Sequence, residues 1–383
     1  MSRHHKSPSL TGRLSAFCLP ALLVLTLGCT STQPGQTSEP QATASPTATA
    51  QAATPQASDL TGGNVLESVG FGSCLHQDDP QPILNVVVER DFDLFLMLGD
   101  NVYGDVTSTV EMTELYQAYA QQAASESFQA LWSSTPILAV WDDHDFGLND
   151  AGSTFAGREP AERLFEQFWQ IPEDAASRQW PGIYDAHLFG PPGRRVQILL
   201  LDTRYFRSDL KDSLDENRRY DPDPDPQKTM LGAEQWRWLE EQLQKPADLR
   251  LLVSSIQILA EGHGWEAWRT LPLERDRLYD ALKRSGARGV IALSGDRHRA
   301  GIYRRDDVIG YPFYEITSSS LNRPSGSPEE PGPHRLGPTY RPENFGAVHI
   351  DWTAGTVQLE IADIEGQTVL SETLSIGDLR PPP

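Results

Sequence analysis

Four apolar runs in this 383-residue chain end on residues that can bind metal or move protons. The first ends at Ser73-Cys74-Leu75-His76 and the second at Gly99-Asp100-Asn101-Val102-Tyr103. The third ends at Asp142-Asp143-His144-Asp145, and a later one at Gly295-Asp296-Arg297-His298. Ligands of α/β proteins bind beyond the carboxyl ends of strands, so these ends can converge on one polar site. An aspartate after a strand is also a common cap or turn residue. The coincidence of four such ends, rather than any one of them, points to a site. Carboxylates suit hard cations, whereas Cys and His suit transition metals. A carboxylate between two ions can bridge them, and a metal pair clamping the attacking and leaving oxygens is a known solution to phosphoryl transfer. There is no G-x-S-x-G elbow that would offer a serine nucleophile.

The elements that must position these residues alternate between two patterns. Short runs rich in Val, Ile and Leu at 65–73, 93–99, 136–141, 196–201, 249–259 and 289–295 read as buried strands. Helical spacing of apolar residues marks 112–132, 232–244 and 273–285. After about residue 310 the pattern turns to strands alone, at 314–321, 347–352, 356–363 and 367–376. The expected body is α/β, closed by C-terminal antiparallel strands, with two sheets face to face and helices outside.

The N-terminal part does not read as core. Arg3, Lys6 and Arg13 precede an uncharged apolar run, Leu14 to Leu27, of 14 residues. That is shorter than the ~20 residues of a membrane span, and the layout is that of an export signal over residues 1–28. Its final Gly28-Cys29 is similar to a bacterial lipobox, although Thr26 stands where a leucine is usual. Cys29 is therefore the expected lipidation site, giving an envelope-located, membrane-anchored protein. Residues 29–63 form a Thr/Ser/Ala/Gln/Pro tether with too little apolar surface to fold, and the folded body is expected over 64–383. Cys18 goes with the signal, which leaves Cys74 as the one free thiol of an exported protein. An unpaired thiol in an oxidising compartment is a hazard unless it is buried or bound.

Lys and Arg number 32 against 53 Asp and Glu, a net charge of −21. Such acidity disfavours nucleic acid as a partner, because phosphate backbones require clustered positive charge. A small phosphate ester held by metal ions fits better.

The segments GFGSC (70–74), LGDNVY (98–103), WDDHD (141–145), LDTRYFR (201–207) and GDRH (295–298) resemble the PhoD-like alkaline phosphatases, a branch of the calcineurin-like metallophosphoesterases. The resemblance extends over most of 66–321 and includes the weaker stretch 262–278. It implies a four-layer α/β/β/α sandwich and an exported phosphatase using Fe³⁺ and Ca²⁺, with other divalent metals as alternatives. By matched position, Cys74 and Tyr103 would bind iron, Asp100 would bridge to the second metal, and Asp296 and His298 would complete the metal set. Asp143 stands where the wider superfamily commonly has a metal-binding Asn. His144 would stabilise the transition state or protonate the leaving group, with Asp145 orienting it. Arg204 and Arg297 would hold phosphate oxygens or, alternatively, form fold-stabilising ion pairs. His76 and His263 are further candidate ligands with equally good structural readings. Asn149 and Asp150 resemble a loop near the site, and Gln257 stands where a histidine is usual. Two alternatives stay open, a phosphodiesterase on the same scaffold and a non-catalytic metal-binding surface lipoprotein. The sequence does not specify the oligomeric state, nor whether 327–338 is a lid.

Overall fold

The structure is a computed structural model that describes residues 63–382. The expected signal, Cys29 and nearly all of the tether lie outside the described residues. Along the chain the first elements are β1 (Ser68–Gly72), α1 (Pro82–Glu89), β2 (Leu94–Leu98), α2 (Thr113–Ala124), α3 (Glu126–Ser134) and β3 (Ile137–Val140). Next come α4 (Asp143–Phe146), α5 (Arg158–Phe168), β4 (Asp185–Phe189), β5 (Val196–Leu200), β6 (Lys211–Asp212) and β7 (Tyr220–Asp221). Then follow α6 (Gly232–Leu243), β8 (Leu249–Ser254), α7 (Pro272–Ser285), β9 (Val290–Ser294), β10 (Ala300–Arg305) and β11 (Phe313–Ser318). The chain closes with β12 (Asn344–Asp351), β13 (Thr356–Asp363) and β14 (Thr368–Ser375).

Two six-stranded sheets result, ordered β14-β13-β12-β1-β2-β3 and β10-β11-β9-β8-β5-β4. In the first, β1, β2 and β3 run parallel and the C-terminal strands are antiparallel. In the second, β11, β9, β8 and β5 run parallel, with β10 and β4 as antiparallel edges. The parallel strands β2, β5, β8 and β9 are buried along their whole length, as expected where both faces of a sheet are covered. Helices α1, α2 and α3 pack together, as do α6 and α7. The fold is the expected four-layer α/β/β/α sandwich.

The two sheets touch at their strand ends. After β11 the chain crosses over, the Leu321 amide donating to the Ser73 carbonyl at 3.0 Å and the Asn344 amide to that of Ser320 at 2.7 Å. Gly295, just past β9, comes so close to β1 that an added Cβ would lie 2.5 Å from Ser73 Oγ. A side chain there would push apart the ends that carry the candidate residues.

Several boundaries differ from expectation. The single helix expected at 112–132 is two, because Ser125 adopts an extended ψ of 123° and its hydroxyl accepts the Phe128 amide as an N-cap. The long strand expected over 249–259 stops at Ser254. Beyond it, the Ile258 and Leu259 amides donate to the buried Glu315 carboxylate at 2.8 and 2.6 Å, which replaces strand pairing. Helix α5 escaped the periodicity reading because its sequence, REPAERLFEQF, has five charged residues among its eleven and buries only a narrow stripe that includes Ala161, Phe165 and Phe168. Among the described residues, no helix is long and apolar enough to cross a membrane.

Candidate metal centre and cleft

Among the described residues, eight non-glycine residues have positive φ, and four of them are strand-end candidates: Cys74 (59°), Asp100 (50°), Asp296 (69°) and His298 (53°). This left-handed region costs free energy for residues with a Cβ and persists only where the surroundings impose it. Here the restraints are visible. The Leu75 amide bonds the Asp100 carbonyl at 2.8 Å, and the His298 amide bonds Ser319 Oγ at 2.7 Å. The strained turns bring side chains from β1, β2 and β9 into one cluster.

Within that cluster the donor atoms of Cys74, Asp100 and His298 all lie within 4.8 Å of one another. Cys74 Sγ is 3.5 Å from Asp100 Oδ2, Tyr103 Oη is 3.3 Å from the same oxygen, and Tyr103 Oη is 3.5 Å from His298 Nε2. Asp100, Asp143 and His144 form a second set within the same limit, and Asp142, Asp143 and Asp296 a third. Asp100 thus belongs to the sulfur-containing set and to a carboxylate-rich one. Asp143 belongs to both carboxylate-rich sets.

The residues fit metal ions. Asp296 Oδ2 is buried without a hydrogen-bond partner, an arrangement that is costly unless a cation meets it. Burial and the neighbouring Asp143 push Asp100 well above the usual carboxylate range; burial and Asp142 do the same to Asp296. Burial and Asp100 likewise raise the Cys74 thiol and the Tyr103 phenol. A cation among these groups would reverse that balance and favour every anionic form. Thiolate, phenolate and imidazole suit a transition-metal ion, whereas the set of carboxylates alone suits a hard one. His298 is prepared for ligation. Its Nδ1 donates to the Arg323 carbonyl at 2.7 Å, leaving Nε2 as the lone-pair atom, and burial pushes its pKa down to about 4.

His144 stands beside this cluster, half a stack away from Tyr103 with ring centroids 4.3 Å apart. Its Nδ1 lies 3.0 Å from Asp105 Oδ1. Burial opposes charge on the ring, but Asp143, Asp100 and Asp105 outweigh it and raise its pKa to about 11. Cations bound by those aspartates would cancel part of this field.

Two expected roles are corrected. Asp145 does not orient His144. Its buried carboxylate receives the backbone amides of Asp142, Asp100 and Asn101 at 2.5, 3.1 and 3.2 Å, bracing the turn between β3 and α4. Arg204 does not face substrate, being 0% exposed. Its Nε donates to Asp142 Oδ1 at 2.6 Å and its Nη1 to Glu266 Oε2 at 2.7 Å, while Arg207 Nε lies 3.0 Å from the other Glu266 oxygen. Of the two readings for this arginine, the ion pair is the one observed. The sequence leaves both readings of His76 open; its ring stacks on Tyr103 at 4.7 Å and joins none of the donor sets.

The remaining candidates fall on both sides of the site boundary. Gln257 binds Tyr303 and Thr317 inside the core, and His263 Nδ1 accepts the Trp265 amide. Asp142 is absorbed by Arg204 and by Ser255 Oγ at 2.6 Å, so Asp143 is the aspartate of the pair that faces the cleft. Asp150 holds Asp143 through a 2.7 Å amide bond to Oδ2. Asp143, His144, Asp296, Arg297, Trp265 and Arg219 line a cleft of about 700 Å³. Sequence reasoning missed Asp105, Trp265, Arg219 and Glu330. Only Asp105 carried a signal, since Gly104-Asp105 repeats the Gly99-Asp100 pair five residues later.

Residues 182–361 match a family described as PhoD-like phosphatase. The match contains LDTRYFR and GDRH, and it bears out the resemblance carried by the motifs. Alkaline phosphatase D of Bacillus subtilis (strain 168) is 22% identical over 277 residues, which are 62% of this chain and 47% of that protein. The chain therefore spans about half the length of this curated relative. In three dimensions it is similar to the structure of PhoD, with a TM-score of 0.62, 18% identity, and coverage of 84% of this chain and 74% of the other. It is also similar to purple acid phosphatase PPD1 from yellow lupin (Lupinus luteus) seeds, with a TM-score of 0.57, 13% identity, and coverage of 82% and 55%. These structural likenesses establish the fold that the chain shares with PhoD and this purple acid phosphatase.

Proposed function

We propose that the chain is a metal-dependent hydrolase of phosphate esters. The observation that carries this reading is the sharing of Asp100 and Asp143 between donor sets, with the His144–Asp105 pair beside them. Cys74, Asp100, Tyr103 and His298 would hold Fe³⁺, and Asp100, Asp143 and Asp296 would hold a second, harder cation such as Ca²⁺. When bound, the ions supply activation of water and neutralisation of phosphate oxygens. The chain's own groups do the rest. Arg297 lines the cleft where phosphate oxygens would sit, and Asp105 accepts the Nδ1 proton of His144 and stabilises the imidazolium, whose Nε2 then carries a second, transferable proton. As the new P–O bond to water forms and the ester P–O bond breaks, that proton passes to the departing alkoxide. Water adds one oxygen to phosphorus, and the alcohol leaves protonated.

Export and anchoring through lipidated Cys29 complete the proposal and rest on the N-terminal sequence pattern. The experiment is hydrolysis of matched phosphomonoester and phosphodiester substrates by metal-loaded protein, beside Asp296→Ala and His144→Ala. Turnover should fall by about 10²–10⁴ in His144→Ala, as expected on losing a general acid, and should vanish in Asp296→Ala. Turnover surviving both substitutions would sink the site. No turnover on either ester, with metals bound, would favour a ligand-binding lipoprotein.

A further inference from the structure

The segment between β11 and β12 places a carboxylate on the cleft's arginine. Glu330 Oε1 accepts from Arg297 Nη2 at 2.5 Å and lies 3.8 Å from Arg299 Nη2. Arg297 is 8% exposed and lies directly against the metal set, its Nη1 3.9 Å from Asp296 Oδ2. Its Nε is buried without a hydrogen-bond partner, as is that of Arg299.

Glu330 is held in place rather than left free. Arg335 Nη1 donates to its carbonyl at 2.8 Å, and Arg299 Nη1 donates to the Pro328 carbonyl at 3.1 Å. The Pro331 carbonyl presses on Gly262, whose φ is +94°, so closely that an added Cβ would lie 2.6 Å away.

The other guanidiniums lining or underlying this cleft are paired elsewhere, and Arg323, over the Tyr103 ring, lies outside the cleft lining. Arg204 and Arg207 are consumed by Asp142 and Glu266, and Arg219 is half exposed at the rim, 3.7 Å from Asp150. Arg297 is thus the arginine placed to meet charge on a bound phosphate, and Glu330 neutralises it. A phosphodiester group carries one negative charge, whereas a monoester above its second ionisation carries two. The second charge gains nothing from an arginine already neutralised, and it is repelled by the carboxylate beside it.

We propose that Glu330 is a charge selector, which by holding Arg297 makes the cleft favour singly charged phosphodiester groups over doubly charged monoesters. This rests on the hydrolase reading above and names its substrate class. The planar face of Trp265, half exposed in the same cleft with Arg297 Cζ 5.8 Å from its ring, offers the second ester substituent an apolar surface.

The test compares metal-loaded wild type with Glu330→Gln, Glu330→Asp and Glu329→Gln, on an aryl phosphomonoester and its methyl diester at one alkaline pH. Wild type should prefer the diester. Glu330→Gln keeps the shape and should raise the monoester-to-diester ratio of kcat/KM by about ten-fold, the scale of one unscreened charge in a partly wet cleft. Glu330→Asp should restore the wild-type ratio. Glu329→Gln disturbs the neighbouring pair with Arg335 and the bonds from Thr339 but not the Arg297 contact, and should leave the ratio unchanged. Calorimetry with inorganic phosphate and dimethyl phosphate gives a second readout, with phosphate alone binding more tightly to Glu330→Gln. Equal shifts for both esters, an unchanged ratio, or the same shift in Glu329→Gln would overturn the selector. If no ester is hydrolysed, the hydrolase reading fails, while the two binding probes still decide the role of Glu330.

Discussion

His144 Nδ1 lies 3.0 and 3.1 Å from the two carboxylate oxygens of Asp105, a residue 39 positions earlier that closes the turn after β2. A carboxylate there fixes the imidazole tautomer and stabilises its protonated form. Asp105→Asn keeps an acceptor but removes the charge. It should lower kcat by about 10–100-fold with little change in KM. With His144 as the proposed acid, activity should be lost as pH rises through its pKa. Removing Asp105 lowers that pKa, so the descending limb of the pH profile should move to lower pH. A profile that stays in place would remove Asp105 from this role.

Arg204 neutralises Asp142 and Glu266 in the fully buried interior. Arg204→Met should destabilise the protein by about 3–5 kcal/mol, because two carboxylates lose their shared counter-charge. Denaturant midpoints measure this, and adding Glu266→Gln should recover part of the loss. A loss below about 1 kcal/mol would place the pair in the class of exposed bridges.

The acid cluster makes stability depend on pH in a metal-sensitive way. Burial and like charges push Asp100 and Asp296 well above the carboxylate range, and burial lifts Asp145 to about 8 despite its amide donors. Groups with raised folded-state pKa values bind more protons in the native state than in the unfolded one. Metal-free protein should therefore be most stable near pH 4, where unfolded carboxylates titrate, and lose stability as pH rises toward 8 and beyond. Added metal should flatten that decline by neutralising Asp100 and Asp296. Melting temperatures across pH, with and without chelator, test it; parallel curves would count against a metal site here.

Cys74 supplies the soft donor of its set. Cys74→Ser should abolish binding of the iron proposed for this set, and His298→Ala should weaken it, while the harder cation proposed at Asp143 and Asp296 should be retained. Elemental analysis of purified variants decides the matter. Iron content equal to wild type in Cys74→Ser would show that the sulfur lies outside the coordination set.

Much of the site was legible because its residues follow strands whose apolar runs are locally encoded. Cys74, Asp100, Asp143, Asp296 and His298 converge because parallel strands from two sheets end at the same edge, and the right-handed logic of α/β folds makes that edge predictable. Roles that depend on what a side chain meets were less legible. Asp145 and Asp105 are both aspartates beside a turn, and only the packing of the β2 turn against α4 assigns the backbone to one and the imidazole to the other. Arg204 read as a phosphate ligand because nothing local revealed the Glu266 carboxylate, 62 residues away.

By itself, then, the amino-acid sequence determined the order of strands and the donor types at their ends, since hydrophobic periodicity and turn chemistry act over a few residues. The tertiary structure alone decided which charges are spent on one another. Glu330 meets Arg297 across 33 positions and Arg204 meets Asp142 across 62. Such pairings arise from long-range closure of the two sheets, where burial forces each charge to find a partner.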